Sequence, residues 1–599
     1  MGGKPVPARQ RISSVTSIER TRIPAWRGVV AGLLAGCAAV GIGQLVAGFI
    51  AADSSPVVAV GEMSIDLTPP AVKNFAIRAF GSHDKFVLLC GIAVVLAVCA
   101  AVIGVLALRK LWYGMAGLGA FAVVGLLAAA TRPDSGASYL VPTLAGTAAA
   151  AWALARMVRA AGPAPMASPG RAASASAPSP GEHPGSAPPA GARPGGTAPA
   201  GRAPGDRAPG DWTPGDWTPG GPVGGGTAGG GSAGGGPAGR VAGGPDRRKF
   251  LVTGTVTAGV ALVGFAGGKL LADTKSVNAA REAIRLPRPA VTAPPLPAGA
   301  DLKIPGLSPF ITPNNSFYRV DTAIVVPEVA PASWQLRIHG MVAREITLTY
   351  QDLIRRPLIE DYITLCCVSN PVAGPYIGNA LWLGASLQSL LREAGIRAGA
   401  DQLFCTSVDG FTSGTPVQTA MDGRDAMLAV AMNGQALPTD HGFPVRLVIP
   451  GLYGYVSACK WITDIEVTTY ASNVSYWAQR GWSQQAPIKT ESRIDVPSGS
   501  ATLKPGKQAV AGVAWAQHKG IDAVEVRVGK GAWQQATLAA VPDIDTWRQW
   551  VWEWNATPGS HVIEARATDR TGYTQTSLQE PPEPNGASGY PSVSVQVSH

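Results

Sequence analysis

Two adjacent cysteines, Cys366 and Cys367, are the side chains of this sequence best suited to bind a redox metal. They close the run Tyr362–Cys367 and stand immediately before a Val-Ser-Asn turn that ends at Asn370. A thiolate is the soft, electron-rich ligand that transition metals prefer, and few other side chains can supply it. The run predicts a strand, on which neighbouring side chains point to opposite faces. Only one cysteine can therefore face a given pocket, and we predict that it is Cys367, the one beside the turn.

Two further segments carry side chains that could hold a flat ring and a phosphate. Thr312–Arg319 is a polar turn leading into an aromatic pair. Such a turn can lay an amide and a ring against a heterocycle, although taken alone it is better interpreted as a turn with a hydrophobic anchor. His441–Trp461 contains the guanidinium of Arg446, the ammonium of Lys460 and several glycines. A guanidinium binds phosphate oxygens as a fork, a lysine adds a point charge, and glycines let backbone N–H groups approach.

These three segments resemble motifs of the sulfite oxidase superfamily, in the order in which that family carries them. In the family's cysteine loop, the cysteine that binds the molybdenum of a molybdopterin cofactor is followed by two small residues and an asparagine. Cys367-Val-Ser-Asn370 fits that pattern, whereas Cys366 does not. Thr312–Arg319 is similar to a pterin-contacting segment, and His441–Trp461 is similar to the stretch that holds the pterin phosphate. The resemblance covers roughly the last half of the chain.

The resemblance implies a molybdenum–molybdopterin cofactor and assigns its binding residues one by one. Cys367 is the implied metal ligand, and it is the implied catalytic group together with Trp482. The implied cofactor-binding residues are Asn315, Tyr318, Arg319, Asn370, Thr406, His441, Arg446, Ala458, Cys459 and Lys460.

Two departures from the family pattern concern the substrate. Sulfite oxidases carry a sulfite-binding arginine after the aromatic pair, but an ungapped alignment puts Val320 there and turns Arg319 to the opposite strand face. Trp482 stands where those enzymes carry a tyrosine beside the metal. These changes leave the fold and cofactor intact but argue against sulfite oxidation. We expect Trp382, Asp409 and Trp482 to line the substrate pocket, although Asp409 is equally well explained as a turn residue.

The first half of the chain predicts a membrane anchor. Five stretches without a charged residue are each close to the roughly 20 residues that a spanning helix needs. They are Gly28–Ala52, Phe86–Leu108, Leu111–Thr131, Ser135–Ala155 and Phe250–Gly268. Any one could be a buried core helix, but four closely spaced ones favour a membrane. Basic clusters flank them so that a cytoplasmic amino terminus puts every cluster inside the cell and all residues after Gly268 outside.

The fifth stretch follows Asp246-Arg-Arg-Lys-Phe-Leu251, which resembles a twin-arginine export signal. That route would export the following domain already folded around its cofactor. The alternative is that the two arginines only anchor the helix on the cytoplasmic side.

Composition supports this organisation. Hydrophobic residues make up 46% and charged residues 15% of the chain, which is too apolar for a soluble multidomain protein. The net charge of +10 is explained by the membrane flanks, and no basic run on the later domains indicates nucleic-acid binding. Residues 160–245 are rich in Ala, Pro, Gly and Ser and predict a disordered tether. Its Trp-containing repeat at 203–217 is either a partner-binding motif or low-complexity sequence.

Two globular regions follow. The first has a helix pattern at Leu387–Ala394 that stops at Gly395 and an alternating strand pattern at 465–469, which together predict an α+β domain. After Pro487 the pattern becomes strands only, with alternation at 524–528 and three tryptophans, 550, 552 and 554, on one face of a strand. That stripe is more typical of a core than of a ligand surface. We predict an immunoglobulin-like sandwich, which by the resemblance is a dimerisation domain.

The predicted fold class is therefore multi-domain: transmembrane α-helices, an α+β sulfite-oxidase-type molybdopterin domain, and an immunoglobulin-like β-sandwich. The expected boundaries are a cytoplasmic terminus (1–27), a four-helix membrane region (28–159), the linker (160–245), a twin-arginine-like span (246–272), the molybdopterin domain (300–486) and the sandwich (487–599).

The predicted function is that of a multi-pass cell-membrane oxidoreductase that performs two-electron oxo transfer on a small molecule outside the cytoplasm. The sequence has no Cys-x-x-Cys-His motif, and none of its seven histidines lies in a predicted span, so electrons are expected to pass to an external partner. The alternatives are a sulfoxide-type reductase of the same fold and a non-catalytic membrane scaffold. Cys405 and Cys459 could form a disulfide, but buried thiols are the favoured interpretation.

Overall fold

The computed structural model of this chain describes residues 23–51, 54–69, 72, 84–132, 136–161, 247–274 and 277–598. Most of the predicted cytoplasmic terminus, the tether with its Trp-containing repeat, and Asp246 of the arginine motif lie outside the described residues.

Long apolar helices form the amino-terminal part. The helices are α1 (Ala25–Ile50), α2 (Pro56–Leu67), α3 (Asp84–Arg109), α4 (Leu111–Ala130), α5 (Val141–Ala161) and α6 (Arg247–Thr274). All except α2 include a segment long and apolar enough to cross a membrane, with mean hydropathy between 1.2 and 3.1. The prediction of five such helices is confirmed. Their orientation in a membrane stays a prediction.

The predicted spans were bounded by the nearest charged residues, and some of the helices begin or end elsewhere. The fourth predicted span begins at Ser135, whereas α5 begins at Val141 and places Pro142 in its first turn, where a proline costs no hydrogen bond. The helix then continues past Arg156 to Ala161, because arginine is a good helix former. The short helix α2 was not predicted, since its 12 residues are too few for a span.

Small residues let these helices pack backbone to backbone. A Cβ atom on Gly32 of α1 would clash with the backbone carbonyl of Ala100 in α3. One on Gly41 would clash with the backbone of Ala261 in α6. The close approach of the backbones explains the richness in Gly and Ala, and such packing is typical of helices that associate within a membrane.

The α+β domain contains two sheets. Its elements are α7 (Asn278–Glu282), β1 (Gln335–Gly340), β2 (Ile346–Thr349), α8 (Tyr350–Ile354), β3 (Leu358–Cys366), β4 (Ile377–Ser386), α9 (Leu387–Ala394), β5 (Gln402–Ser407), β6 (Thr412–Pro416), α10 (Val417–Met421), β7 (Met427–Met432), β8 (Gln435–Ala436), β9 (Arg446–Val448), α11 (Gly454–Ser457) and β10 (Ile462–Thr468). The sheets run β2-β1-β10-β5-β6 and β3-β4-β7-β8, with β9 paired to β7. Side chains of both sheets and of α9 share one apolar core. As predicted, α9 ends where Gly395 takes the left-handed conformation, φ 70°.

The carboxyl-terminal domain is a two-sheet β-sandwich. Its strands are β11 (Glu491–Val496), β12 (Thr502–Leu503), β13 (Gly506–Trp515), β14 (Ile521–Val528), β15 (Gln534–Gln535), β16 (Thr537–Leu538), β17 (Arg548–Ala556), β18 (Gly559–Asp569) and β19 (Ser592–Val597). The sheets run β11-β13-β17-β16 and β12-β19-β18-β14-β15. Trp550 and Trp554 are buried in the core between the sheets and Trp552 packs against it, so the tryptophan stripe is core. The immunoglobulin type of this sandwich stays a prediction.

The sandwich is attached near the carboxyl end of β3 through Thr364, which is fully buried. The backbone N–H of Thr364 donates to the carbonyl of Asp545 (3.0 Å), and its hydroxyl accepts from the backbone N–H of Trp547 (2.7 Å). The side chain of Gln517 donates to the carbonyl of Thr364 (3.0 Å). The strand that leads to the cysteine pair is therefore held by both domains.

Candidate active site

A cavity opens at the carboxyl end of β3, with an empty volume of about 860 Å³ including its mouth. Its walls come from the aromatic turn around Phe317, the loop after β5, the segment from His441 to Trp461, and the aromatic loop around Trp482. Seven of the predicted site residues line it: Tyr318, Cys367, His441, Arg446, Ala458, Lys460 and Trp482.

The two cysteines lie on opposite sides of the strand end. Cys366 packs in an apolar cluster that includes Phe310 and Trp515, and its thiol points to the backbone carbonyl of Cys367 at 3.5 Å. Cys367 lines the cavity instead. The expected alternation of β3 therefore presents Cys367, and not its neighbour, to the cavity.

The surroundings of Cys367 favour a thiolate once an opposite charge is present. Burial raises the pKa of the Cys367 thiol, while hydrogen bonds from the backbone and hydroxyl of Ser369 and the charge of Lys460 act in the opposite direction. Burial, the charge of Glu491 and the neighbouring Cys367 raise the pKa of Cys366 well above its usual value. Cys367 thus has donors for a sulfur anion and open space beside it, as a metal ligand requires.

The guanidinium of Arg446, on β9, is buried without an acidic partner. It donates to the carbonyls of His441 (3.1 Å) and Ala458 (3.3 Å) and lies 5.1 Å from the ring centre of Trp382. No carboxylate of the described chain lies within ion-pair distance of it. Burial lowers the pKa of Arg446 to about 10. A buried cation of this kind is suited to an anionic ligand, because the ligand would supply the missing charge.

Lys460 and His441 complete the polar side of the cavity. The ammonium of Lys460 donates to the Asp321 carboxylate (2.8 Å) and to the carbonyl of Asp440 (2.9 Å). Burial lowers its pKa to about 8, and Asp321 opposes that change. Burial also lowers the pKa of His441 to about 4, so the ring is neutral at neutral pH. Its Nε2 lies 3.1 Å from the carbonyl of Asn314, which requires a proton on that nitrogen.

Five predicted cofactor residues do not line the cavity: Asn315, Arg319, Asn370, Thr406 and Cys459. Asn315 is exposed, and its side-chain oxygen accepts from Ser316 (3.2 Å). Asn314, one residue earlier, is the amide turned inward, where it accepts from Asn433 (2.8 Å). Arg319 is turned outward to Asp321 (2.8 Å), with a side chain that is 37% exposed.

The other three residues hold the walls. The side-chain oxygen of Asn370 accepts from the backbone N–H of Tyr376 (2.8 Å) and so closes the turn after Cys367. Thr406 lies on β5, where its carbonyl accepts from Thr463 (3.4 Å). Cys459 lies in the same buried core as Cys405, and both are free thiols.

An aromatic wall stands beside Cys367, and of its members the sequence predicted only Trp482. The ring centres of Tyr455 and Trp477 lie 6.1 and 6.0 Å from that of Trp482. The spacing of the two tryptophans, five residues apart, was a signal that they could share a loop. Asp409 also lines the cavity, as expected, whereas Trp382 does not and lies beneath Arg446 instead.

Two polar atoms of residues that line the cavity are buried without a partner among the described residues. Trp482 is 7% exposed, and its indole N–H has no acceptor within the described parts of the chain. The hydroxyl of Ser407, also a lining residue, is likewise without a partner there. Buried polar groups are normally paired, so these atoms indicate a ligand. A thiol, an unpaired guanidinium and orphaned donors around one cavity fit a metal with an anionic organic cofactor.

Comparison with known proteins identifies the domain. Residues 323–477 match the family described as oxidoreductase molybdopterin binding domain. The sulfite oxidase of Gallus gallus is 31% identical over 291 residues, which cover 41% of this chain and 62% of that protein. The mitochondrial sulfite oxidase of Mus musculus is 29% identical over 286 residues, or 41% of this chain and 52% of that protein. The chain thus spans between about half and three-fifths of these relatives.

Two further matches are an enzyme of another name and a solved structure. Nitrate reductase [NADH] 1 of Oryza sativa subsp. japonica is 34% identical over 196 residues, covering 28% of this chain and 21% of that protein. The sulfane dehydrogenase SoxCD of Paracoccus pantotrophus has a TM-score of 0.41 and 23% identity over 45% of this chain and 75% of that chain. The family match and the sulfite oxidase relatives confirm the predicted resemblance to the sulfite oxidase superfamily and the molybdopterin-binding type of this domain.

Proposed function

We propose that this chain, whose residues 323–477 are a sulfite oxidase-type molybdopterin-binding domain, is a membrane-anchored oxidoreductase acting on a small substrate outside the cytoplasm. The observation that carries the proposal is the cavity that joins the Cys367 thiol to the unpaired, buried guanidinium of Arg446. The five long apolar helices and their basic flanks support the anchor and its orientation.

The bound molybdenum–molybdopterin cofactor would supply two-electron oxo-transfer chemistry. Cys367 would bind the metal, and the Ser369 donors and Lys460 would stabilise its thiolate. Arg446 would bind the cofactor phosphate through its planar fork, since three carbonyls already hold the guanidinium in place. Neutral His441 would hold the Asn314 turn against the cavity by donating to its carbonyl.

The aromatic wall would receive the substrate. Tyr455, Trp477 and Trp482 exclude water from the space beside Cys367, and the orphaned indole N–H of Trp482 would donate to a substrate oxygen. Electrons would pass to an external protein or a soluble carrier, and a homodimer through the sandwich is implied by the resemblance alone.

The charges at the mouth favour a neutral substrate over sulfite, which makes a sulfoxide-type reductase the second candidate. Val320, the residue at the position of the sulfite-binding arginine, lines the cavity and is 42% exposed. Asp409 adds a carboxylate at the same mouth, and Arg319 is paired outside it. A doubly charged anion would meet the carboxylates of Asp321 and Asp409, while Lys460 is paired with Asp321 and Arg446 would be taken by the cofactor phosphate. A neutral S=O group needs only a donor.

Three measurements on the full chain, purified in detergent, test the proposal. Elemental analysis should find one molybdenum atom per chain. Reduced dye with a sulfoxide, compared with sulfite and an electron acceptor, should separate the two directions of reaction. Protease added outside spheroplasts should cleave the domain after residue 277 if it faces outward. A chain that is folded but free of molybdenum, from cells with working cofactor synthesis, would favour the non-catalytic scaffold instead.

A further inference from the structure

A second group of reactive side chains lies away from the cavity, where the sandwich meets β3. Asp361 is on β3, six residues before Cys367, and Asp543 and Asp545 are in the loop between β16 and β17. One carboxylate oxygen from each of the three aspartates lies within 4.8 Å of the other two. Asp361 and Asp545 are each only 5% exposed. Three carboxyl groups are therefore brought together at a domain junction that is largely shielded from water.

Asp545 is the observation that indicates a ligand rather than a chance grouping. Its side chain is 7% exposed, and its Oδ1 atom is buried without a hydrogen-bond partner among the described residues. The other oxygen, Oδ2, lies 3.4 Å from Nδ1 of His518. A buried carboxylate oxygen without a donor, beside two more carboxylates, is costly unless a cation lies between them.

The neighbouring charges do not supply that cation. Asp425, in the turn before β7, is a fourth acidic group, close enough to Asp543 and Asp545 to interact with their charges. His518 is the one basic side chain within ion-pair distance of these four carboxylates in the chain as described. Arg424 is committed to Asp422 (2.6 Å). A single imidazole cannot balance four carboxylates.

We propose that Asp361, Asp543 and Asp545 bind one divalent cation of the calcium type, which joins the sandwich to the strand of the cysteine pair. The donors are all oxygens. Hard cations such as calcium prefer oxygen ligands, whereas most transition metals favour nitrogen or sulfur. Calcium takes about six to eight oxygen ligands in a flexible geometry, so three carboxylates whose oxygens lie within 4.8 Å of one another can share it. Magnesium demands a near-ideal octahedron and usually keeps several waters beside only one or two carboxylates.

The site would act on the junction that already holds β3. Asp545 accepts through its carbonyl from Thr364, and Trp547, two residues later, donates to the Thr364 hydroxyl. A cation on the Asp545 side chain would therefore strengthen the same loop that contacts the strand leading to Cys367. The proposal does not depend on the chemistry of the cavity, and it holds whether or not the cofactor is bound.

The test measures calcium binding to the full chain in detergent after treatment with EDTA. Equilibrium dialysis with radioactive calcium should give one saturable site per chain. Calcium chloride at about 100 times the dissociation constant should raise the thermal midpoint by about 5 °C, and magnesium chloride at the same concentration should raise it less. Asp543→Asn should weaken calcium binding at least tenfold. Asp522→Asn, an exposed aspartate on β14, is the matched control and should bind as the unaltered chain does.

Three results would overturn the proposal. The first is the absence of saturable calcium binding. Bound protons, and not a cation, would then relieve the repulsion among the carboxylates, and Asp543→Asn would raise the midpoint equally in EDTA and in calcium. The second is a calcium site that Asp543→Asn leaves unchanged, because the cation would then bind elsewhere. The third is a magnesium effect as large as that of calcium, which would contradict the assignment of the cation.

Discussion

Replacing Arg446 by methionine should empty the cavity of cofactor while leaving the cofactor-free protein about as stable as before. Burial lowers the pKa of Arg446 to about 10, which corresponds to a cost of about 3 kcal/mol for keeping the guanidinium charged in the empty protein. Its three hydrogen bonds to carbonyls are long, 3.1–3.5 Å, so at about 1 kcal/mol each they only offset that cost. The variant without cofactor should therefore unfold within about 1 kcal/mol of the unaltered chain.

The cofactor-bound protein should respond very differently. Two charge-assisted hydrogen bonds to a phosphate are worth about 3–6 kcal/mol together, so their loss should weaken cofactor binding by about 100-fold to 10,000-fold. Arg446→Lys keeps the charge but not the planar fork, so its affinity for the cofactor should lie between those of the unaltered chain and Arg446→Met. Arg337→Met, which removes an exposed arginine of β1 paired with Glu345, should change neither quantity.

The assay combines molybdenum and pterin content per chain after gel filtration with urea unfolding of protein made in cells that lack cofactor synthesis. Full cofactor content in Arg446→Met would refute the phosphate-binding role. A loss of several kcal/mol in the cofactor-free variant would refute the offset between burial and hydrogen bonding, and would assign Arg446 a structural role.

Three further predictions concern single side chains. Trp482→Phe keeps an aromatic ring but removes the orphaned N–H, so kcat/KM should fall about tenfold with unchanged molybdenum content, and an unchanged kcat/KM would exclude the substrate contact. Burial raises the pKa of Glu491 to about 8, above its value in the unfolded chain, so native stability falls as pH rises from about 5 to 8. Glu491→Gln should lose less stability between pH 5 and pH 8, and in urea unfolding at pH 9 it should be more stable than the unaltered chain. Equal stability of the two proteins at pH 9 would contradict the burial of the charge. Thr364→Val leaves the Trp547 N–H and the Asn379 side-chain oxygen unpaired, so the free energy of unfolding should fall by about 2–4 kcal/mol, whereas Thr364→Ser should lose less.

The features that the sequence predicted correctly depend on local rules. Alternation along β3 was enough to place Cys367 and Cys366 on opposite sides. The stop of α9 at Gly395 follows from the left-handed conformation that glycine adopts freely. The tryptophan stripe of β17 lies in the core for the same local reason, a period of two.

The features that could not be predicted depend on contacts between distant segments. Whether Asn314 or Asn315 turns inward is decided by the partners Asn433 and His441, which lie more than a hundred residues away in sequence. The outward turn of Arg319 follows from its pairing with Asp321.

The aromatic wall and the acidic cluster are also long-range. Tyr455 and Trp482 lie in separate segments that only the folded domain brings together. Asp361 and Asp545 belong to different domains and meet where the sandwich docks on β3. No local periodicity encodes such a meeting.

The most direct test of the central claim counts the sulfur atoms bound to molybdenum. X-ray absorption at the molybdenum edge of the purified full chain should be compared with that of Cys367→Ser and Cys366→Ser. Metal binding by Cys367 predicts one fewer sulfur ligand, or loss of the metal, in Cys367→Ser and an unchanged spectrum in Cys366→Ser. An unchanged spectrum in Cys367→Ser, or an equal change in both variants, would contradict it.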